Sequence, residues 1–146
     1  MKETQDPGQL LRFALAVITG AIVIYGLGQI IELGLVVYVN GSMPQDSMQY
    51  ILIRNHSEVL VAKLFYTAAL GVGAGYLAAW IGGRMGILAG VSVALAQVVG
   101  IVWAIFSGNP LQAHTPIWVW ITLLIIAPPA VITGAWIRGR RYLRTD

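Results

Sequence analysis

Apolar residues run in four long stretches along the chain, and the short segments between them carry most of the charge. About 20 mostly apolar residues are enough to cross a hydrocarbon core of roughly 30 Å. The pattern therefore predicts four membrane-spanning helices, near residues 13–39, 59–81, 87–106 and 117–137. We interpret residues 1–146 as a single membrane domain of the all-α class, folded as a four-helix bundle.

The composition supports a membrane protein. Hydrophobic residues make up 58% of the 146 positions and charged residues only 10%, whereas soluble domains carry about 25% charged residues. No polar stretch is long enough to form a separate soluble domain. Cysteine is absent, which excludes disulfides, thiolate metal sites and thiol nucleophiles.

The basic residues predict the orientation, because Lys and Arg in short loops are retained on the cytoplasmic side. In a four-span arrangement seven basic residues lie on one side, and only Arg54 and Lys63 lie on the other. We expect both termini on the cytoplasmic side of a bacterial inner membrane, with residues 40–58 and 107–116 facing outward. The seven are Lys2, Arg12, Arg84, Arg138, Arg140, Arg141 and Arg144.

The second span contains Gly73-Ala74-Gly75-Tyr76-Leu77-Ala78, which has the spacing of a dinucleotide-binding turn. That motif requires a preceding strand, whereas here a helical stretch precedes it, so we reject a phosphate site. Small residues instead recur every four positions, a glycine zipper that lets helix backbones approach closely in lipid. We expect it to face a similar stripe on the third span. The stripes are Gly71, Gly75, Ala79 and Gly83, and Ser92, Ala96, Gly100 and Ala104.

Several polar residues fall inside the predicted spans, where an ionisable group is costly and is a functional candidate. Glu32 and Lys63 lie at matching depths and carry opposite charges, so we predict an ion pair between them. Gln29, Thr67 and Gln97 complete one polar cluster between three helices. The cluster either locks the helices in register or forms a site for an ion, a proton or a small solute.

The connection over residues 40–58 resembles a short helix lying in the outer interface. Ser42-Met43-Pro44-Gln45 has the residues of a helix start, with Ser42 as the cap. Met48, Ile51 and Leu52 would share one apolar face. A second cap at Asn55, with Glu58 three residues later, would begin the next span. This helix is either a lid on the bundle or a docking surface for a partner.

Two histidines, His56 and His114, lie in the outward connections. With Glu58 they could approach a metal or a pigment, but their spacing matches no ligand motif. The chain also lacks a nucleophile elbow, a carboxylate dyad and a Walker motif. We therefore expect no enzyme activity, catalytic residue, cofactor or metal.

The fourth span contains Pro128 and Pro129, which remove two backbone donors and predict a kink. Such a kink either shapes a static helix or serves as a hinge. The basic residues that follow are predicted to contact anionic lipid headgroups. They are Arg138, Arg140, Arg141 and Arg144.

The sequence features of the last half of the chain resemble small uncharacterised glycine-rich four-helix proteins of bacterial inner membranes. They are Gly82-Gly83-Arg84, Pro116-Ile117-Trp118, Pro129, Gly134 and the arginine-rich end. The resemblance implies a fold and a location but no activity. We expect a structural or accessory subunit that contacts other membrane polypeptides or itself, with no nucleic acid partner. The alternative is a small-solute or proton carrier that acts as an oligomer.

Overall fold

The computed structural model describes residues 7–109, 112 and 114–142, with side chains described up to residue 140, and these ranges contain helices but no strand. A π-helical segment, Val23–Leu27, joins the first two helices, and a 3-10 turn, Gly83–Met85, joins the fourth to the fifth. The helices with described bounds are α1 (Pro7–Ile22), α2 (Gly28–Asn40), α3 (Ser47–Arg54), α4 (Ser57–Gly82), α5 (Gly86–Phe106) and α6 (Ile117–Tyr142).

Three helical runs are long and apolar enough to cross a membrane: Pro7–Asn40, Ser57–Phe106 and Ile117–Arg140. The middle run has 50 residues, which would extend about 75 Å as one straight helix. It instead reverses at Gly83, whose φ of 55° favours glycine. Beyond this turn α5 packs back along α4. The four predicted apolar stretches therefore lie in three helical runs, and the second run is folded on itself.

Helix α4 packs against α1, α5 and α6, and its contact with α6 is especially close. A methyl group added at Gly75 would overlap the carbonyl oxygen of Val131, and one added at Gly134 would overlap that of Val72. The two backbones therefore touch, which only residues without a Cβ allow at these points. The middle of α4 is therefore held against α6 by direct backbone contact.

The predicted pairing of the two small-residue stripes is wrong. Gly71 and Gly75 lie against α6, because Ala127, Ala130 and Gly134 give that helix a small-residue face of its own. Helix α5 meets α4 through residues nearer the turn, where Gly86 packs against Ala79 and Ala89 packs against Gly82.

The α5 stripe has other neighbours as well. The hydroxyl of Tyr25 donates to the carbonyl of Ala96 at 3.2 Å, and a methyl group at Gly100 would overlap that same hydroxyl. The Ser92 hydroxyl donates to Leu88 within its own helix, at 3.0 Å. The missing side chain at Gly100 thus makes room for a tyrosine from the first helical run.

Helix α3 begins four residues later than predicted. Asp46 is its cap and accepts a hydrogen bond from the backbone N–H of Gln49 at 2.7 Å, as a short carboxylate does well. The predicted cap, Ser42, instead belongs to the turn that ends α2, where its carbonyl accepts from the Asn40 side chain at 2.9 Å. Of the predicted apolar face, Ile51 is buried whereas Met48 and Leu52 are exposed.

The second predicted cap, at Asn55, is also wrong. Asn55 ends α3, and its side-chain nitrogen donates back to the carbonyl of Ile51 at 2.9 Å. His56 precedes α4 without a side-chain hydrogen bond to it. The Oδ1 of Asn55, the atom that a cap would use, has no hydrogen-bond partner among the residues that the structure describes.

Helix α6 continues through Pro128 and Pro129 without a break in its helical assignment. Each proline lacks an N–H and therefore leaves one carbonyl in the preceding turn without its usual donor. One turn later the Thr133 hydroxyl donates to the carbonyl of Pro129 at 2.8 Å. This bond satisfies the Thr133 hydroxyl and the Pro129 carbonyl inside the helix. The kink at the two prolines stays a prediction.

Candidate functional site

Glu32 on α2 is the centre of the polar cluster and is 2% exposed. Its Oε2 accepts from the Lys63 ammonium at 2.5 Å, so the structure contains the ion pair that matching depth predicts. Its Oε1 accepts from Nε of Arg54 at 2.6 Å. Arg54 was not predicted to take part, because it was expected to lie in the outward connection over residues 40–58. Both cations therefore share one buried carboxylate.

Two tyrosine hydroxyls complete the hydrogen bonding of Glu32. Tyr50 donates to Oε1 and Tyr66 donates to Oε2, each at 3.2 Å. The helical periodicity explains both, since Tyr50 lies one turn before Arg54 on α3, and Tyr66 lies one turn after Lys63 on α4. Burial, followed by the charge of Glu32, raises the pKa of Tyr50, which keeps this phenol protonated and able to donate.

A cavity of about 170 Å³ lies beneath this ion-pair cluster. All five residues of the predicted polar cluster line it: Gln29, Glu32, Lys63, Thr67 and Gln97. Apolar side chains from α4, α5 and α6 form much of the remaining wall, including Leu70, Ile101, Trp120 and Leu123. The charged groups thus come from α2, α3 and α4, and the facing wall from α5 and α6 is mainly apolar with isolated polar groups.

Gln97 is a polar residue on the α5 wall of the cavity. It is 3% exposed, and its Oε1 has no hydrogen-bond partner in the described part of the chain. Gln112, from the connection before α6, also lines the cavity with an unpartnered Oε1. A buried acceptor without a donor costs about 1–3 kcal/mol, so these two amides are suited to a ligand or an ordered water.

The first helical run changes its packing at the floor of the cavity. Below it, α1 packs against both α4 and α5, whereas α2 packs on α3 and α4. The π-helical segment Val23–Leu27 marks this change, and Tyr25 from this segment lines the cavity. Single-turn π-helices are frequent at functional sites. The cavity therefore occupies the space between α2 and α5.

The histidines do not form a metal centre in the described residues. Within residues 7–109, 112 and 114–142, no three potential ligands among His, Cys, Asp and Glu lie together. His56 and Glu58 are exposed at the start of α4, and neither lines the cavity.

The basic end of α6 is described in part. The Arg140 guanidinium stacks on the Trp136 ring, 3.4 Å from its centroid, and such a stacked pair suits a membrane interface. Arg138 is partly exposed on the same helix. The side chain of Arg141 and the whole of Arg144 lie outside the described residues, so the headgroup contact stays a prediction.

The cavity offers groups that recognise a ligand: fixed charges, hydroxyl and amide hydrogen-bonding groups, and an apolar wall. These groups come from both halves of the chain, because α2, α4, α5 and α6 all contribute to the lining. A scan of protein families, a search of curated proteins and a search of solved structures each gave no match.

Proposed function

We propose that this chain is an integral membrane protein that binds a small solute in the cavity between α2 and α5 and carries it across the bilayer. The observation that supports this function is the burial of Gln97, with an unpartnered oxygen, in the wall of a 170 Å³ cavity. A structural lock explains why Glu32 is surrounded by donors. It does not explain a second polar group kept deeper in an apolar region, where each polar group is costly.

The proposed topology is a four-helix bundle that crosses the bacterial inner membrane four times, with both ends cytoplasmic. It is supported by the ion pairing of Arg54 and Lys63, the two basic residues on the proposed outer side. Both are ion-paired with Glu32, so their charges are partly compensated and weigh less against the orientation. Helix α3 then lies at the outer end of the molecule, with Ile51 and Arg54 buried toward the bundle and Met48 and Leu52 exposed on its outward face.

The geometry favours a solute over a proton as the carried species. Glu32 is the acid on which a proton-coupled mechanism would depend, and it accepts four hydrogen bonds. Protonating it would remove the negative charge that both Arg54 and Lys63 contact in a buried site, which is strongly unfavourable. We assign Glu32 the role of holding α2, α3 and α4 together at the end of the cavity.

Single-cysteine labelling tests this function, because the chain has no cysteine of its own. Gln97→Cys and Ala104→Cys each place a thiol on the cavity wall. A small water-soluble methanethiosulfonate added from the outer side should modify both, since reaction requires water at the thiol. Leu95→Cys is the matched control, because Leu95 is 61% exposed on the outside of the same helix, where lipid should block the reagent.

The labelling result has a clear contrary outcome. Met48→Cys, on the exposed surface of α3, shows that the reagent reaches the outer side of the protein. If Met48→Cys reacts while Gln97→Cys and Ala104→Cys both remain unmodified in folded protein, the cavity is closed to solutes and the proposal is wrong.

An accessory subunit is the second candidate function, and the packing of the first helical run favours it. In the most apolar 18-residue window of Pro7–Asn40, 17% of the residues are buried, compared with 33% in the corresponding window of each of the other two runs. A poorly covered helix suits contact with another membrane polypeptide. Sizing after extraction in mild detergent separates the two candidates: a carrier should migrate alone or as copies of itself, and a subunit with other polypeptides in fixed ratio.

A further inference from the structure

The charged residues on the cavity wall do not balance. Glu32 contributes one negative charge, and Arg54 and Lys63 contribute two positive charges, so the charged lining sums to +1. The other two carboxylates in the described ranges lie elsewhere: Asp46 caps α3, and Glu58 is exposed on α4. A surplus charge in a cavity with low-dielectric walls creates a focused field that attracts ions of opposite sign.

Lys63 is placed to bind a second anion. Its ammonium group has three N–H donors, and in the described structure one of them is used by Glu32. The side chain is 12% exposed and lines the cavity. A bound anion could therefore contact Lys63 without displacing Glu32 from the ion-pair cluster.

The wall below Lys63 suits an apolar group. Thr67 lies one helical turn deeper on α4, about 6 Å along the axis, and beyond it the lining includes Leu70 and Ile24, while Ile101 and Leu123 line the cavity nearer the level of Lys63, in one cluster with Leu60. A fully hydrated inorganic ion would leave these apolar side chains in contact with water. The cavity volume of about 170 Å³ is close to that of an engineered cavity of about 150 Å³ that accommodates benzene.

We propose that the solute is a small organic monoanion, of the size of one aromatic ring with a carboxylate. Its charge lies beside Lys63 at the α3 end, and its apolar body extends toward Gln97. This assignment rests on the proposed solute-binding function and adds the charge and size of the solute to it.

Charged thiol reagents test the sign of the site. Ala104→Cys, on the cavity wall, and Met48→Cys, on the exposed surface of α3, are each treated with a sulfonate-bearing and a trimethylammonium-bearing methanethiosulfonate. The measured quantity is the anionic-to-cationic rate ratio at Ala104→Cys divided by that ratio at Met48→Cys. The surplus charge should raise this normalised ratio roughly tenfold or more.

A second substitution links the ratio to Lys63. Added to the Ala104→Cys background, Lys63→Gln should bring the normalised ratio near one. Arg84→Gln, at an exposed position in the turn before α5, should leave the ratio unchanged and controls for a general loss of positive charge.

Protection by a matched ligand series gives a measurement that needs no change at Lys63. Benzoate, benzamide and benzylammonium have nearly the same shape but carry a negative charge, no charge and a positive charge. Each is added before a neutral thiol reagent, with Ala104→Cys protein in lipid nanodiscs. Benzoate should slow the modification at least several-fold more than either of the others.

The outcomes separate this inference from the function on which it rests. A normalised rate ratio of one or below, or equal protection by benzylammonium and benzoate, overturns the monoanion and leaves a solute cavity. If neither charged reagent modifies Ala104→Cys or Gln97→Cys while Met48→Cys reacts, the solute-binding function itself fails.

Discussion

A single carboxylate organises three helices at the α3 end of the molecule. Glu32 on α2 accepts from Arg54 on α3 and from Lys63 on α4, and tyrosines on α3 and α4 supply two further donors. Neither cation has another carboxylate on the cavity wall. Losing Glu32 is therefore more serious than losing either cation, since it removes the carboxylate that both cations contact.

Substitutions within this cluster should not be equivalent. Glu32→Gln should lower the unfolding free energy by roughly 3–5 kcal/mol, the usual cost of breaking a buried ion pair from one side. Lys63→Met should cost less, because Glu32 keeps its bond to Arg54. The double variant should recover only part of the loss, since Arg54 remains without its carboxylate. Thermal unfolding in detergent measures all three.

The two single variants and the double variant form a double-mutant cycle, which also defines the result that would contradict the ion pair. Strictly additive losses in the Glu32→Gln and Lys63→Met variants would show that the two side chains do not interact. Tyr38→Phe is a suitable control, because Tyr38 is 84% exposed near the end of α2 and should change stability little.

The sequence could predict two of the five residues of this cluster, Glu32 and Lys63. Glu32 and Lys63 lie in apolar stretches of definable length, so their depths can be counted from the rise of a helix. Arg54 could not be placed in the same way, because its position depends on where α3 begins. Assigning the cap to Ser42 instead of Asp46 made the connection look like an independent surface helix, whereas its Arg54 and Ile51 are buried.

At the scale of the elements, α4 and α6 make the closest backbone contact described above. Gly75 on α4 and Gly134 on α6 each face a carbonyl of the other helix. In lipid, apolar side chains gain little by contacting each other instead of the acyl chains, so close packing of this kind has a large share in holding helices together. The contact also positions Leu123 and Trp120 of α6 at the wall of the cavity.

Two glycines two residues apart should therefore respond differently to the same substitution. Gly75→Ala should lower stability by about 1–3 kcal/mol, because the added methyl group meets the Val131 carbonyl and the helices must separate. Gly73→Ala should be neutral or slightly stabilising, since nothing lies within 4 Å of its added methyl group. Unfolding midpoints in detergent compare the two, and equal midpoints would contradict the close contact.

The positions of the helices could be predicted from hydropathy, but their partners could not. Small residues occur on α4, α5 and α6, and their spacing does not say which two faces meet. The short turn at Gly83 favoured a pairing of α4 with α5 along their whole length. In the structure Tyr25 instead lies against Gly100 and donates to the carbonyl of Ala96, 71 residues away along the chain, and a contact at that separation leaves no local pattern.

At the scale of the whole molecule, the charges are distributed unequally between the two ends. Arg54 and Lys63 lie at the α3 end and are held by Glu32. The described basic residues at the opposite end include Arg12 and Arg84, both exposed. Free cations resist transfer across a membrane more than ion-paired ones, so this distribution supports the proposed orientation more strongly than the count of residues alone.

Reporter fusions should show that the α3 end faces outward. A reporter that is active only in the cytoplasm should be active when fused after Asp146 and inactive when inserted near Gly108, which follows α5 and has a φ of 63°. The physical reason is that the seven basic residues of the proposed inner side should be retained there, whereas Arg54 and Lys63 are ion-paired. A reporter active only outside the cytoplasm should give the opposite pattern at both positions.

If Gly108 and Asp146 instead report the same side, the chain does not cross once between them, and the cavity could not open outward beside α3. If both positions are reversed, the cavity opens to the cytoplasm, and the labelling of Gln97→Cys and Ala104→Cys should then occur only from that side.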